Sequence, residues 1–320
     1  MPDTPNFKAR PVPVPASSDL AGARPSAAAQ TGPAFNPVGL IGRRNGGRSA
    51  DSLVELASFL RQRGCEVLLE DETARHAGLP GYKVADYAQL GASAQLAIVL
   101  GGDGSMLNAA RHLAQHRVPL IGVNQGRLGF MTDIALDRMT EVVGQVMDGQ
   151  YSIEDRTLLS AEVIRAGQSV FSTLALNDVV VNKGAVGRLI EFFVHIDGEF
   201  VYDLRSDGLI IATPTGSTAY ALSSNGPILQ PTVPGVVLVP ICPHTLSNRP
   251  ITVSDRSRIE ITIRHAIDAM LNFDGQPQYD LHEGDRVVIR RSDHPIRFVH
   301  PPGYSYFAML REKLHWSEMY

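Results

Sequence analysis

The feature that most constrains this chain is the junction at residues 96–113. Five apolar residues, Leu96-Ala97-Ile98-Val99-Leu100, run straight into Gly101-Gly102-Asp103-Gly104. A helical pattern follows, with Met106, Ala110 and Leu113 at i, i+4 and i+7. A short unbroken apolar run bounded by glycine reads as a buried strand. The strand ends, the backbone turns tightly, and a helix begins with one carboxylate, Asp103, at the tip of the turn. The glycines leave no side chain to hold a ligand away. In an open α/β sheet, ligands bind beyond the carboxyl ends of the strands, and this reading puts Asp103 there. Taken alone, a plain turn with a solvated aspartate fits the same residues.

The surrounding sequence decides the sheet type. Val38-Gly39-Leu40-Ile41-Gly42 predicts a first strand, and Leu53, Leu56 and Leu60 share one face of a helix that ends at Gly64. A second strand is expected over 65–69, an irregular polar stretch over 71–94, and the third strand over 96–100. Helix 105–116 leads to a fourth strand, Pro119-Leu120-Ile121-Gly122-Val123. This β-α-β alternation predicts a parallel sheet with right-handed crossovers. Asn124-Gln125-Gly126-Arg127-Leu128-Gly129-Phe130 is a second glycine-rich turn after a strand, expected to flank the same crevice as Asp103. Helix 137–148 carries Met139, Val142, Val143, Val146 and Met147 as a core stripe and stops at Gly149.

Beyond residue 150 the period changes to alternation. Strands are expected at 161–165, 170–176, 192–196, 200–202, 209–212, 236–241, 258–263 and 286–291. Asp197-Gly198 between two apolar runs is a strong hairpin signal, and His195 within it reads as a strand side chain. Residues 304–314 predict a helix. The first 36 residues, rich in Pro, Ala and Ser, cannot bury enough surface to offset their ordering entropy. The expected organisation is a disordered tail over 1–36, an α/β domain with a parallel sheet over 37–150, a mostly-β domain over 151–295, and a segment over 296–320 that packs back on the α/β domain.

Composition excludes several classes. The 320 residues carry 29 basic and 33 acidic side chains, so no basic excess argues for nucleic acid. No run of about 18 apolar residues suggests a membrane span, and no secretory leader pattern opens the chain; a cytoplasmic protein is expected. Cys65 and Cys242 lack a C-x-x-C partner and read as buried thiols of a reducing compartment. From Gly208 to Asn248 there is no Asp, Glu, Lys or Arg. Repeated Pro, Gly, Ser and Thr break that stretch, which argues against a span and for a segment buried between domains or lining a site.

Inside it lies Thr213-Pro214-Thr215-Gly216-Ser217-Thr218-Ala219-Tyr220. Small hydroxyl residues after a strand can bond a base, ribose or phosphate without adding charge, or cap a short helix. Arg205 and Asp207 just before the strand read as an ion pair or as two ligand contacts. Asn177-Asp178 reads as a turn or as partners for ribose hydroxyls. The chain has no G-x-x-x-x-G-K-[ST], no G-x-G-x-x-G and no H-E-x-x-H, and no paired-cysteine zinc pattern. His244, between Pro243 and Thr245, reads as structural.

Gly101 to Ser105, Asn124 to Phe130, Asn177-Asp178, Asp207-Gly208-Leu209-Ile210-Ile211-Ala212 with the following Thr213 to Tyr220, and Pro243 to Pro250 together resemble the signature set of the bacterial NAD kinase family. The likeness runs from about Val38 to the C-terminus. The Gly-Gly-Asp-Gly turn alone is shared with diacylglycerol and sphingosine kinases and related phosphofructokinases; the long block from Asp207 is far more specific. Ser105 stands where many members have Thr, and the first 36 residues have no family counterpart.

The resemblance implies ATP-dependent phosphorylation of the 2′-hydroxyl on the adenosine ribose of NAD, with a divalent cation, magnesium in most members. It implies an α/β domain joined to a mostly-β domain, the architecture of the NAD kinase and diacylglycerol kinase group, in a homodimer or homotetramer. Asp103 is then the catalytic base. Gly104, Asn177 and Asp178 would contact nucleotide. Thr218, Ala219, Tyr220, Ala221, Leu222 and Ser223 would wall the nucleoside, and Arg205 and Asp207 would hold the far end of the dinucleotide. Arg188 and Gln276 match further contact positions, and no protein metal ligand is named. A lipid or sugar acceptor would share the glycine turn but leave the Thr213–Tyr220 block unexplained. A dinucleotide sensor would not need Asp103.

Overall fold

The computed structural model describes residues 32–42, 48–126, 129–184, 188–245 and 247–316. Strands β1 (Val38–Gly42), β2 (Val67–Glu70), β3 (Lys83–Ala85), β4 (Leu96–Gly101) and β5 (Leu120–Asn124) lie parallel in the order β3-β2-β1-β4-β5. Helices α1 (Arg48–Gln62), α2 (Asp71–Ala77), α3 (Tyr87–Ser93), α4 (Asp103–Leu113) and α5 (Met139–Met147) connect or flank them. A two-residue strand, β6 (Ile134–Ala135), extends β5, and β7 (Ser152–Arg156) also belongs to this sheet.

Side-chain alternation explains why both faces are covered. Leu40 and Ile98 point to the side packed by Leu53, Leu56 and Leu60 of α1 and by Val143 of α5. Their neighbours Ile41 and Val99 meet Leu90 of α3 and Met106, Ala110 and Leu113 of α4. The chain steps outward from β1 to β2 and β3, then returns to the other side of β1 with β4. The order therefore reverses between β1 and β4, and a crevice opens at their carboxyl ends.

Residues 71–94 are not irregular. Glu70 caps α2 by accepting the Thr73 N–H at 2.8 Å, and Gly78 ends that helix at φ 59°. Asp86 and Gln89 form a reciprocal capping box on α3. Each helix has seven residues, too few to show an apolar period.

The alternating half folds into two antiparallel sheets. Its strands are β8 (Leu159–Arg165), β9 (Gln168–Ala175), β10 (Asp178–Lys183), β11 (Ile190–Ile196), β12 (Glu199–Ser206), β13 (Gly208–Ala212), β14 (Gly235–Ile241), β15 (Ile251–Ser254), β16 (Ile259–His265), β17 (Ala269–Phe273), β18 (Gln276–Leu281) and β19 (Arg286–Arg291). One sheet runs β12-β11-β16-β19-β8-β9 and the other β15-β14-β13-β10-β17-β18. Their inner faces share a core that includes Val181, Phe192, Leu209, Ile261 and Phe273. A short helix, α6 (Tyr220–Ser223), follows β13. Its Ala221 packs with Ile210 and Val237 on the outer face of the second sheet. Central strands buried on both faces explain the uncharged stretch. Asp197-Gly198 closes the β11–β12 hairpin at φ 53° and 85°, as expected.

The chain then returns. β20 (Ile296–His300) inserts between β5 and β7, parallel to the first and antiparallel to the second. Helix α7 (Tyr306–Lys313) follows, capped by Ser305. The strand that opens the segment expected to be all β-domain is thus part of the α/β sheet, and the final segment adds a strand to it. Of the expected tail, residues 1–31 lie outside the described residues. Ala34 and Phe35 do not behave as a tail. The Ala34 N–H donates to Met147 O at 2.8 Å, and Phe35 is buried against Tyr151. Cys65 is buried, but Cys242 is exposed. It stands one residue past β14, where the chain turns out at φ 44°.

Candidate active site

Asp103 is the first residue of α4, directly after Gly102, which takes an extended conformation. An acidic residue suits the positive end of a helix, yet its carboxylate does not cap its own helix. Oδ2 accepts the Phe130 N–H at 2.9 Å and Oδ1 the Met131 N–H at 3.1 Å. The parallel pairing of Gly101 with Asn124 brings the two glycine-rich turns side by side, and the second turn meets Asp103 on the β5 side of β4, away from the crevice between β1 and β4. Arg127 and Leu128 lie outside the described residues. Gly129 makes the contact possible, because a Cβ there would sit 2.0 Å from Asp103 Oδ1.

A cleft of about 450 Å³ occupies the crevice between β1 and β4. It is lined by Gly42, Gly102, Gly104 and Ser105, by Tyr87 and Asn108, and by the acidic Glu70 and Glu72. Gln276, the first residue of β18, reaches it from the β-rich half. The structure thus gathers Asp103, Gly104 and Gln276 at the carboxyl ends of the parallel strands.

Asn177 and Asp178 form the turn from β9 into β10. Both are held by Asp274, whose carboxylate accepts the N–H of Leu176 at 3.3 Å, of Asn177 at 2.7 Å and of Asp178 at 3.4 Å. Asp274 also faces Arg111 of α4 at 3.4 Å. Asn177 Oδ1 and Asp178 Oδ1 are buried and find no donor among the described residues. Burial, then the neighbouring Asp274, pushes the Asp178 carboxyl up to about 7. Burial also raises Asp274, against the pull of the amides and Arg111. The reading from sequence found Asp178 but missed Asp274 and Arg111. Asp274-Gly275 repeats the Asp-Gly hairpin signal of Asp197-Gly198, which would have located the turn though not its contacts.

The Thr213–Tyr220 block wraps around the same turn. Thr213 donates its N–H to Asn177 O at 2.9 Å, and its hydroxyl donates to Leu176 O. Gly216 lies so close that a Cβ would meet Asn177 O at 2.0 Å. The hydroxyls expected to face ligand serve the loop: Ser217 Oγ donates to Pro214 O at 2.6 Å and accepts the Leu229 N–H at 2.9 Å, and Thr218 Oγ1 donates to Thr215 O at 3.0 Å. A loop this tightly turned must satisfy its own carbonyls first. Buried Arg156 of β7 fastens the loop to the α/β sheet, donating to Thr215 Oγ1 at 3.3 Å and to Tyr304 Oη at 3.4 Å. Ala221 is buried, Thr218, Ala219 and Leu222 are partly so, and Ser223 and Tyr220, 44% exposed, face outward.

Arg205 and Asp207 do not pair with each other. Cross-strand register puts Arg205 opposite Glu191, at 3.6 Å, while the Lys183 N–H donates to Asp207 O and draws the Lys183 ammonium to 2.7 Å from the Asp207 carboxylate. Their contacts are at the β10–β12 corner rather than with Asp103. Arg188 is exposed beside residues 185–187, which lie outside the described residues. His244 is exposed, its N–H donating to Arg205 O at 3.0 Å.

Residues 38–151 match the ATP-NAD kinase N-terminal domain and residues 176–301 the ATP-NAD kinase C-terminal domain. The chain belongs to the ATP-NAD kinase family. The NAD kinase of Aromatoleum aromaticum is 57% identical over 284 residues, covering 88% of this chain and 95% of that protein. The NAD kinase of an Azoarcus species is 56% identical over 284 residues, 88% of this chain and 97% of that protein. A crystal structure of yeast NADH kinase complexed with NADH superposes with a TM-score of 0.82 at 26% identity, covering 91% of this chain and 90% of that one. An Archaeoglobus fulgidus NAD kinase in complex with ATP shares the fold, with a TM-score of 0.67 at 24% identity over 87% and 98% of the two chains. Among the described residues, no helix is long and apolar enough to cross a membrane.

Proposed function

We propose that this chain transfers the terminal phosphoryl group of ATP to the 2′-hydroxyl of the adenosine ribose of NAD, giving NADP and ADP, with Asp103 as the base. Membership of the ATP-NAD kinase family supports the reaction. The observation that carries the residue roles is the fixing of Asp103 by two backbone amides at the start of α4, between Gly102 and Gly104, which line the β1–β4 cleft. Each carboxylate oxygen accepts one N–H and keeps a lone pair for the substrate hydroxyl. The ribose O2′ attacks the γ-phosphorus, the bond to the β–γ bridging oxygen breaks, and the hydroxyl proton passes to Asp103. Such transfers depend on positioning and charge stabilisation more than on a strong base.

The geometry supports the other roles. Asn177 Oδ1 and Asp178 Oδ1, buried acceptors without donors among the described residues, take the donor groups of the adenine and ribose. Residues 218–223 wall the nucleoside through backbone and apolar surface, since their loop consumes the hydroxyls of Ser217 and Thr218. Gly102, Gly104 and Ser105 leave room for phosphates at the amino end of α4. Gln276 closes the cleft from the opposite side. The family implies a divalent cation, and magnesium is the ion proposed. Among the described residues no three acidic, histidine or cysteine side chains converge on one point. Magnesium characteristically binds through substrate phosphates, water and one or two carboxylates, which fits a site where Asp103 stands beside a cleft lined by Glu70 and Glu72.

Arg205, Asp207 and Arg188, remote in contacts from Asp103, complete the site of a neighbouring subunit in a homodimer or homotetramer. Exposed Phe200 and Val201 on β12 support that association. The protein works in the cytoplasm.

The test is NADP formation from NAD, ATP and Mg²⁺ by the purified protein beside Asp103→Asn. The expected result is turnover in the wild type and a loss of about 10²- to 10⁴-fold in kcat in the variant, with NAD still bound. Tight NAD binding by the wild type without NADP would overturn the reading in favour of a sensor.

A further inference from the structure

We propose that Asp274 is a positioning residue of the reaction: it fixes the Asn177-Asp178 turn and, through Arg111, ties that turn to the helix that begins at Asp103. The inference rests on the reading above, in which that turn holds the acceptor nucleoside and Asp103 takes its proton.

Asp274 lies where three parts of the site meet. It stands in the tight β17–β18 turn, with φ 51°, followed by Gly275 at φ 76°. Its own N–H donates to Asp178 O at 3.1 Å. Its carboxylate, with no exposed side-chain surface, receives three consecutive backbone amides, those of Leu176, Asn177 and Asp178. Three donors from successive residues converging on one carboxyl fix the course of that turn. The residue two positions on is Gln276, which lines the cleft with Gly102 and Gly104. One side chain therefore sits between the turn that presents the two orphan acceptors and the strand that closes the cleft.

Arg111 supplies the link to Asp103. It projects from the last turn of α4, where the helix dipole favours a cation, and its side chain is 14% exposed. Helix α4 is short, and Met106, Ala109, Ala110 and Leu113 along it are fully buried. Asp103 and Arg111 are eight residues apart, about 12 Å along the axis. The helix thus acts as a strut with the base at its amino end and the Asp274 partner near its other end. A buried ion pair is often no more stabilising than an apolar pair of the same volume. What it adds here is a fixed distance between the base and the nucleoside turn.

Asp274 also sets the charge around Asp178. Asp274 stands beside Asp178, Arg111 stands behind Asp274, and β13 on the other side contributes Ala212, with no charged residue in that strand.

The experiment compares wild type, Asp274→Asn, Arg111→Met and the double variant by steady-state kinetics and thermal melts. NADP formation by the wild type tests the underlying reaction; without it that reading falls, whatever the variants do. Given an active wild type, both single variants are expected to raise the KM for NAD tenfold or more while the KM for ATP stays within twofold. The double variant should cost less than the product of the two, as for residues acting through one contact. The acid limb of kcat/KM for NAD should lie near pH 7 in the wild type, where Asp178 is pushed up to about 7. In Asp274→Asn it should move to lower pH, because the neighbouring negative charge is gone. Folded variants with unchanged KM for NAD, equal rises for NAD and ATP, multiplicative effects or an unmoved acid limb would each overturn the proposal. If Asp274→Asn does not fold, Arg111→Met decides through its KM values, since it leaves the carboxylate and its three amides in place.

Discussion

A single methyl group at Gly129 should cripple the reaction without touching any substrate contact. The Cβ of Gly129→Ala would lie 2.0 Å from Asp103 Oδ1, 2.7 Å from its Cγ and 2.6 Å from Thr132 Oγ1. Ordinary van der Waals contact begins at 3.4 Å, so the carboxylate or the loop must retreat by about 1.4 Å. The loop cannot move freely, because the Phe130 and Met131 amides that follow it are the ones holding the carboxylate. Either movement breaks the arrangement. A misplacement of about 1 Å can cost a reaction about 10²-fold, which corresponds to about 2.7 kcal/mol in the barrier. Overpacking a close contact costs about 1–3 kcal/mol in stability, which a domain of ordinary stability survives. The expected outcome is therefore a folded protein with kcat reduced about 10²-fold or more and NAD binding retained. The assay is NADP production at saturating NAD and ATP, with NAD affinity measured separately by calorimetry. A kcat within threefold of the wild type would refute the idea that the amides at 130 and 131 set the position of Asp103.

Gly216→Ala should act on the other turn. Its Cβ would meet the Asn177 carbonyl oxygen at 2.0 Å, a backbone atom that cannot swing away; a loss of about 3 kcal/mol in urea unfolding is expected, with a raised KM for NAD. Away from the site, Asp285 is held by both nitrogens of an Arg165 fork, at 2.8 and 2.7 Å, and by the His282 N–H at 2.8 Å. Burial pushes that carboxyl up, but the Arg165 and His282 hydrogen bonds outweigh it and leave it below its usual value. Its contribution is thus present above the usual carboxylate range and is lost as pH falls through the lowered value. Arg165→Met should cost about 2 kcal/mol near neutral pH, less than a fully buried pair because a third of Arg165 remains in solvent. That difference should shrink on acidification; a difference independent of pH would argue against the ion pair.

The parts of the fold legible in the sequence were those whose signal is local. Leu96–Leu100, the glycines after it and the spacing of Met106, Ala110 and Leu113 describe a strand, a turn and a helix within eighteen residues, and the structure has them there. Asp197-Gly198 announces a hairpin because a tight turn needs positive φ at both positions. What failed was short or depends on remote partners. Helices α2 and α3 show themselves only through their caps, and an N-cap glutamate such as Glu70 is outside the usual set. β7 is a polar run, Ser-Ile-Glu-Asp-Arg, that becomes a strand because β20 arrives beside it. In the candidate site, the place of Asp103 between a strand and a helix was legible because glycines frame it. Asp274 was not, because its importance lies in accepting amides about a hundred residues upstream. The hydroxyls of the Thr213–Tyr220 block misled, since composition does not distinguish a loop that feeds its own carbonyls from one that faces a ligand.

The position of β20 has a consequence for how the protein is made. It lies between β5 and β7, yet it leaves the ribosome about 140 residues after β7. At about 5–20 residues per second, the edges of β5 and β7 wait roughly ten to thirty seconds for the strand that joins them. All the strands of the two antiparallel sheets, from Leu159 to Arg291, emerge in that interval. The half encoded second is complete first, and the half encoded first stays open until it closes around the return strand. Neither half is a separable module: a chain cut between them leaves one piece with an unpaired sheet edge and the other with a strand that has no sheet to join.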